Sequence, residues 1–128
     1  MVLNEKTYVE KAEEVIKVLL NVKDKKGYTI KLVTTSKIRN ILSMTADIYN
    51  DVIVMDEKLS DEINSRIDYL RVRCIYEAGR DSSVKVFMEK ANIIEALKEI
   101  KGSRARYILF QRYIEALVAF HKFNGGQD

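Results

Sequence analysis

Residues 59–80, LSDEINSRIDYLRVRCIYEAGR, decide how the rest of the chain is read. Leu59, Ile63, Ile67, Leu70 and Cys74 fall at intervals of three and four, the spacing that gathers apolar side chains on one side of an α-helix. The helix is expected to begin between Asp56 and Ser60 and to stop at Gly79. Arg66, Arg73 and Arg80 recur every seven residues along it, a repeat that drifts only about 20° per step around a helix. Tyr69 and Tyr76 fall between them at offsets of three and four. One side of this helix is therefore a core stripe, and another is a ladder of alternating guanidinium and phenol groups.

The same spacing extends in both directions. Downstream, Asp81 or Ser82 caps a fourth helix with Val84, Phe87, Met88, Ala91, Ile94 and Leu97 inward, ending at Gly102. A fifth, capped by Ser103, places Ile108, Ile114, Leu117, Val118 and His121 near a common face, and Gly125 and Gly126 close it. Upstream, Thr34 or Thr35 caps a second helix carrying Ile38, Ile41, Leu42, Thr45, Ile48 and Tyr49, ending near Asn50 or Val52. A first helix runs from Asn4 or Thr7 to about Leu20 on Tyr8, Ala12, Val15, Ile16 and Leu19. The lysine-rich stretch 22–31 reads as a mobile connection, and the alternating pattern of 28–33 as a short strand without a partner. There is no proline, and the glycines fall where helical patterns stop; equal intervals separate Gly79, Gly102 and Gly125. The expectation is all-α: a compact single-domain bundle of about five helices over residues 1–128, with a tail at 125–128.

Composition sets the outer limits. A chain of 128 residues, 47% hydrophobic and 32% charged, has enough apolar material for one core and too little length for two ordinary domains. No apolar run approaches the roughly 18 residues that span a membrane, and no signal peptide is visible. The single cysteine, Cys74, allows no internal disulfide and fits a reducing compartment, so a cytoplasmic protein is expected. The net charge of +3 permits a nucleic-acid partner without announcing one, so the placement of the charges has to carry that claim.

Catalytic groups are scarce. One histidine and one cysteine exclude a zinc site built from those side chains alone. His121 sits in the mostly apolar run 116–123 and is expected to pack between helices. Helical ribonucleases of the HEPN type need an arginine closer to the histidine than Arg112 is to His121. No glycine cluster precedes a helix, so no phosphate-cradling loop is supported. Glu13 with Glu14, or Glu95 with Glu99, suit pairing with Lys17, Lys98 or Lys101 on solvated faces better than magnesium binding. The expectation is no enzyme, no cofactor and no metal.

The ladder on the third helix suits RNA, since guanidinium forks bridge phosphate oxygens and tyrosines stack on bases. Its alternative reading buries the tyrosines under neighbouring helices and pairs the arginines with Asp68, Glu77 or Asp81. Lys37, Arg39 and Asn40 open the second helix, where their donors join the free amides of the first turn; that end suits a phosphate, or is a plain polar turn.

Four segments, 32–40 (LVTTSKIRN), 69–73 (YLRVR), 76–80 (YEAGR) and 115–123 (EALVAFHKF), resemble in this order the signature blocks of the small subunit of type III-A CRISPR Csm effector complexes. The resemblance covers about residues 32–128. It implies a small helical protein without a catalytic site that stacks in several copies as the complex's inner filament. Basic residues there support the duplex of guide and target RNA, and the partners are both RNAs, other Csm subunits and copies of itself. The basic positions inside matching blocks are Lys37, Arg39, Arg71, Arg73, Arg80 and Lys122. Arg112 joins them just upstream of the last block, whereas Arg66 belongs to the ladder and to no block. The rival class is a helical adaptor that binds only protein, its ladder a solvated surface; a magnesium-dependent ribonuclease is a further rival.

Overall fold

Four helices start on side-chain caps: Ser103 as expected, Thr34 and Asp81 from the expected pairs Thr34/Thr35 and Asp81/Ser82, and Ser60 at the end of the expected starting interval. Thr34 Oγ1 accepts from the Lys37 amide at 3.3 Å, Ser60 Oγ from Ile63 at 3.3 Å and Ser103 Oγ from Arg106 at 3.2 Å. Asp81 Oδ1 accepts from Ser83 and Val84 at 3.0 and 3.4 Å. Each bond satisfies an amide that the first turn leaves without a partner, a contribution of about 1 kcal/mol. The computed structural model describes residues 1–22, 26–27 and 31–128. Among them it has six helices: α1 (Tyr8–Leu19), α2 (Thr35–Val52), α3 (Asp61–Arg80), α4 (Ser82–Ala91), α5 (Ile93–Lys98) and α6 (Arg104–Phe123). No named strand forms among the described residues, and the fold is the all-α bundle expected. Most of the connection expected over 22–31 and the first half of the strand expected over 28–33 lie outside the described residues, and 31–33 form no strand.

Two boundaries differ from the sequence expectation. Gly79 does not stop α3; it lies inside the last turn, and the chain leaves the helix at Asp81, which is extended with φ −140° and ψ 109°. The fourth helix is two helices, broken at Asn92, whose φ of 56° and ψ of 41° are left-handed. Asparagine tolerates that conformation better than most side chains. The break is tied on both sides: Tyr113 Oη donates to the Ala91 carbonyl at 2.8 Å, and Lys11 Nζ donates to Asn92 Oδ1 at 3.3 Å. Buried residues continue across it, so the apolar spacing carries no sign of the kink.

Helix α6 packs on α1 and α2, α3 packs on α4 and α2, α1 rests on α4, and short α5 touches α3, α4 and α6. Tyr107, Tyr113, Phe87 and Phe110 are the largest fully buried side chains, in one core cluster with Ile16, Ile38, Ile41, Ile63 and Ile114. Burying a large apolar side chain contributes roughly 1.5–3 kcal/mol. Tyr107 Oη donates to the Thr45 carbonyl at 2.6 Å, so its polar end is satisfied inside the core. Cys74 is buried on the α3 stripe, and burial pushes its thiol up to about 12, which makes it an apolar core residue without thiolate chemistry. An antiparallel bridge between Lys58 and Ser103 fixes the corner where α5 turns into α6. Leu59 N donates to Gly102 O and Arg104 N to Glu57 O there, both at 2.9 Å.

Candidate nucleic-acid interface

Because Ile63, Ile67, Leu70 and Cys74 turn one side of α3 into the core, the ladder residues turn outward. Tyr69 is 62% and Tyr76 61% exposed, which rules out the reading that they pack under neighbouring helices. Val72 and Ile75 between them are also more than half exposed. Arg73 is exposed and makes no ion pair among the described residues. Arg80 stands 6.0 Å from the Tyr76 ring centre and 3.5 Å from Glu77 Oε2, so guanidinium and phenol do meet as the spacing anticipates. Arg66 is half-buried and committed to α2: its Nη1 reaches Asp51 Oδ2 and its Nη2 the Asp47 carbonyl. The ladder is thus open from Tyr69 to Arg80 and closed at Arg66.

Lys37 and Arg39 are two residues apart on the first turns of α2 and so face different sides. Lys37 Nζ donates to Asp81 Oδ2 at 2.5 Å. That hydrogen bond, with those of Ser83, holds the Asp81 carboxyl far below the usual carboxylate range. Asp81 therefore caps α4 and tethers the start of α2 to the α3–α4 corner in one residue. Lys37, Asn40 and Arg80 share the resulting groove with Glu77 and Asp81.

On the other side, Arg39 Nη2 lies 3.9 Å from Asp128 Oδ1, and Lys122 Nζ donates to both oxygens of that carboxylate at 2.8 and 2.9 Å. His121 explains why the tail sits there. Its Nε2–H donates to the Val33 carbonyl at 3.1 Å and its Nδ1 accepts from the Thr35 hydroxyl at 2.7 Å, the pattern of a neutral ring. Burial lowers its pKa below the ordinary 6.5. Gly126 lies against the ring, and the Thr35 amide donates to the Gln127 carbonyl at 2.7 Å. His121 is the packing residue that its apolar run suggests.

Two candidates stand apart from these clusters. Arg71, two residues from Arg73, lies on another side of α3, in a groove with Asn64, Lys58, Lys98 and Lys101 beside the α5–α6 corner. Arg112 is exposed on α6, whose main packing partners are α1 and α2, and makes no ion pair among the described residues. The seven expected cations thus form one pair at the α3–α4 corner (Lys37, Arg80), one at the tail (Arg39, Lys122) and three separate positions. Sequence reasoning offered Glu77 and Asp81 as partners of the ladder arginines, which holds for Glu77 with Arg80. It missed Asp81 as the partner of Lys37, Asp128 as that of Arg39 and Lys122, and Lys58, Lys98 and Lys101 as neighbours of Arg71. The glutamate expectations divide as well. Glu13 lies 3.8 Å from Lys17, whereas Glu99 accepts from the Val2 amide at 2.8 and 2.9 Å, and neither Glu95 nor Glu99 pairs with Lys98 or Lys101.

Known proteins share this sequence over nearly its whole length. The profile of the family described as Csm2 Type III-A matches residues 10–127. A Streptococcus thermophilus protein named "CRISPR system Cms protein Csm2" is 46% identical over 127 residues, covering 99% of this chain and 98% of that one. The protein of the same name from Mycobacterium tuberculosis is 37% identical over 94% of both chains. That from Enterococcus italicus is 32% identical over 88% of this chain and 85% of its own.

Proposed function

The chain belongs to the Csm2 type III-A family, a subunit of type III-A CRISPR complexes, and on that premise we propose that it is a non-catalytic structural subunit stacked in several copies along the duplex of guide and target RNA. Its partners are both RNAs, copies of itself and other Csm subunits, and it works in the prokaryotic cytoplasm; no helix among the described residues is long and apolar enough to cross a membrane. The observation that supports RNA contact best is the open part of α3, where Tyr69, Arg73, Tyr76 and Arg80 stand in solvent on one helix. Arginine forks on phosphates position a protein on a duplex without reading its sequence, as a subunit that accepts any guide must do. Lys37, Arg39 and Lys122 support the same reading from the start of α2 and the end of α6. Asp128, the partner of Arg39 and Lys122, is exposed, and exposed ion pairs contribute at most about 1 kcal/mol, so phosphates compete for those two cations at little cost, whereas Lys37 would have to share its donors with Asp81.

A second reading has its own support: Val72 and Ile75 are exposed in the middle of the ladder, and apolar side chains there favour a protein partner. The double variant Arg73→Glu, Arg80→Glu separates the two in the reconstituted complex. The RNA role predicts that the variant subunit is incorporated while crosslinks from α3 to target RNA disappear and target affinity drops about tenfold or more at low salt. Loss of incorporation, or incorporation with RNA crosslinking and target affinity unchanged, would hand the face to a protein and leave the adaptor reading.

A further inference from the structure

The groove around Arg71 combines charge, rigidity and lack of internal partners. It has a volume of about 340 Å³ and is lined by Lys58, Arg71, Lys98 and Lys101, with the Asn64 carboxamide beside Gly102. None of the four cations makes an ion pair among the described residues, although Asp68 lines the same groove. Outside the groove Lys37, Arg39, Arg66, Arg80 and Lys122 each have a carboxylate within 4 Å, whereas Arg73 and Arg112 lack one among the described residues but stand singly; what sets the groove apart is that four such cations line one concavity. Four cations gathered beside a single carboxylate that none of them pairs with repel one another, and an ordinary solvated surface relieves that by interspersing charges of the other sign more evenly.

The backbone that holds them is not free to relax. The Lys58–Ser103 bridge ties one wall to the other. Lys101 has a φ of 47°, directly before Gly102 at 74°. Glycine adopts that conformation at no cost and lysine does not, so the turn keeps a lysine where a glycine would fit more easily. Strain of this kind is a sign of a position retained for its side chain.

The groove also lacks what a peptide would need. Its apolar lining residues, Ile67, Leu97 and Ile100, are buried beneath it, in contrast to the exposed Val72 and Ile75 of the ladder. Protein interfaces are built around an apolar centre, whereas a sugar–phosphate backbone is held by cations and amide donors alone. We infer that Lys58, Arg71, Lys98 and Lys101 form a second seat for an RNA backbone, separate from the Arg73 face and on another side of α3. The seat rests on the RNA-binding reading above and divides it: Arg71 and Arg73 serve different strands or different stretches of one strand.

The test uses the full chain and a fluorescein-labelled RNA duplex of fixed length, with affinity measured against salt concentration. Neutralising the seat with Arg71→Gln, Lys98→Gln and Lys101→Gln is expected to lower affinity about tenfold and to flatten the log–log salt dependence by about two to three units, one for each phosphate that the protein no longer neutralises. Lys101→Gly gives an independent reading. It relieves the backbone, so the chain melts no lower than the parent, yet it weakens RNA binding. Parental affinity and salt slope in the triple variant overturn the seat, as does a Lys101→Gly chain that binds as the parent does. Absence of any RNA binding by the parent at low salt overturns it too, because unpaired cations on a rigid wall bind phosphate without help from an assembly. The family role is judged separately, by the Arg73 and Arg80 variant in the reconstituted complex, and survives any of these failures.

Discussion

Helices α3 and α6 are both 20 residues long and each carries two tyrosines, yet the tyrosines end in opposite environments. Tyr107 and Tyr113 of α6 have no exposed surface and donate to the carbonyls of Thr45 and Ala91; Tyr69 and Tyr76 of α3 stand mostly in solvent. Packing neighbours make part of the difference, since α6 is covered by α1, α2 and α5. Hydrogen bonding makes the rest. A phenol enters a core at little cost only where its hydroxyl finds an acceptor, and α2 and the α4–α5 break provide one each. The α3 tyrosines have arginines as neighbours instead, so the same residue type is structural on one helix and available on the other.

The largest test of that contrast removes a buried ring. Tyr113→Ala leaves a cavity and strips the Ala91 carbonyl of its donor at the bend between α4 and α5. A loss of about 3–5 kcal/mol is expected in urea unfolding, with about 1–2 kcal/mol for Tyr113→Phe, which orphans the carbonyl but keeps the ring. A loss below 1 kcal/mol for the alanine variant would mean that α6 is not anchored through its buried rings.

A smaller effect is expected at the tail, where α6 ends. A Cβ on Gly126 would lie 2.2 Å from His121 Cε1 and Nδ1, and the ring is held by Thr35 and Val33 and has no room to move away. Gly126→Ala should therefore cost about 1–3 kcal/mol, or release the tail and with it Asp128 from Arg39 and Lys122. Amide exchange at Thr35, whose N–H is bonded to Gln127, distinguishes the two outcomes.

The same latch responds to pH. His121 is held below its ordinary value of 6.5 chiefly by burial, so it is neutral in the fold. Below about pH 6.5 the unfolded chain takes up a proton that the folded chain refuses, and stability falls as the pH drops. Asp81 and Asp128 are both lowered from 3.8, so their contribution is present above that value and disappears only in more acid solution. Unfolding measured between about pH 6.5 and 4 isolates the histidine, and the slope there should vanish in His121→Gln.

The tail and the bend also show what a sequence can carry. Apolar stripes and most caps were legible because each is a local pattern: Thr34, Asp81 and Ser103 lie within three residues of the amides they satisfy, whereas Ser60 was only the edge of an expected start and Thr7 makes no side-chain cap. Family membership was legible because four segments in order resemble the family's signature blocks, and the family profile matches residues 10–127. The split at Asn92 was not, since buried residues run through it and its cause is a pair of hydrogen bonds from Lys11 and Tyr113, distant in the chain. The grouping of the cations was hidden for the same reason. Lys37 and Arg39 look like one basic turn, but Asp81 and Asp128 draw them to separate sides, and both acids approach from far along the chain. The Arg71 groove joins α3, α5 and the corner that follows, so no window of sequence contains it.

The smallest structural effect belongs to the other half of the comparison and sharpens it most. Tyr69→Ala with Tyr76→Ala removes two rings that bury little surface and that satisfy no carbonyl, so stability should change by no more than about 0.5 kcal/mol. If the ladder were a folding device, Arg80 would lose its place over Tyr76 and the end of α3 would fray, which helix content and amide exchange at residues 76–80 would register. If it is a binding surface, the double variant folds and melts as the parent does but holds target RNA less firmly in the reconstituted complex. Stacking on an aromatic ring contributes about 1–3 kcal/mol per base in single-stranded sites, and less is expected where bases stay paired. A chain that is unchanged in both respects would show that α3 presents its tyrosines to a different partner, and would move Val72 and Ile75 to the centre of the interface.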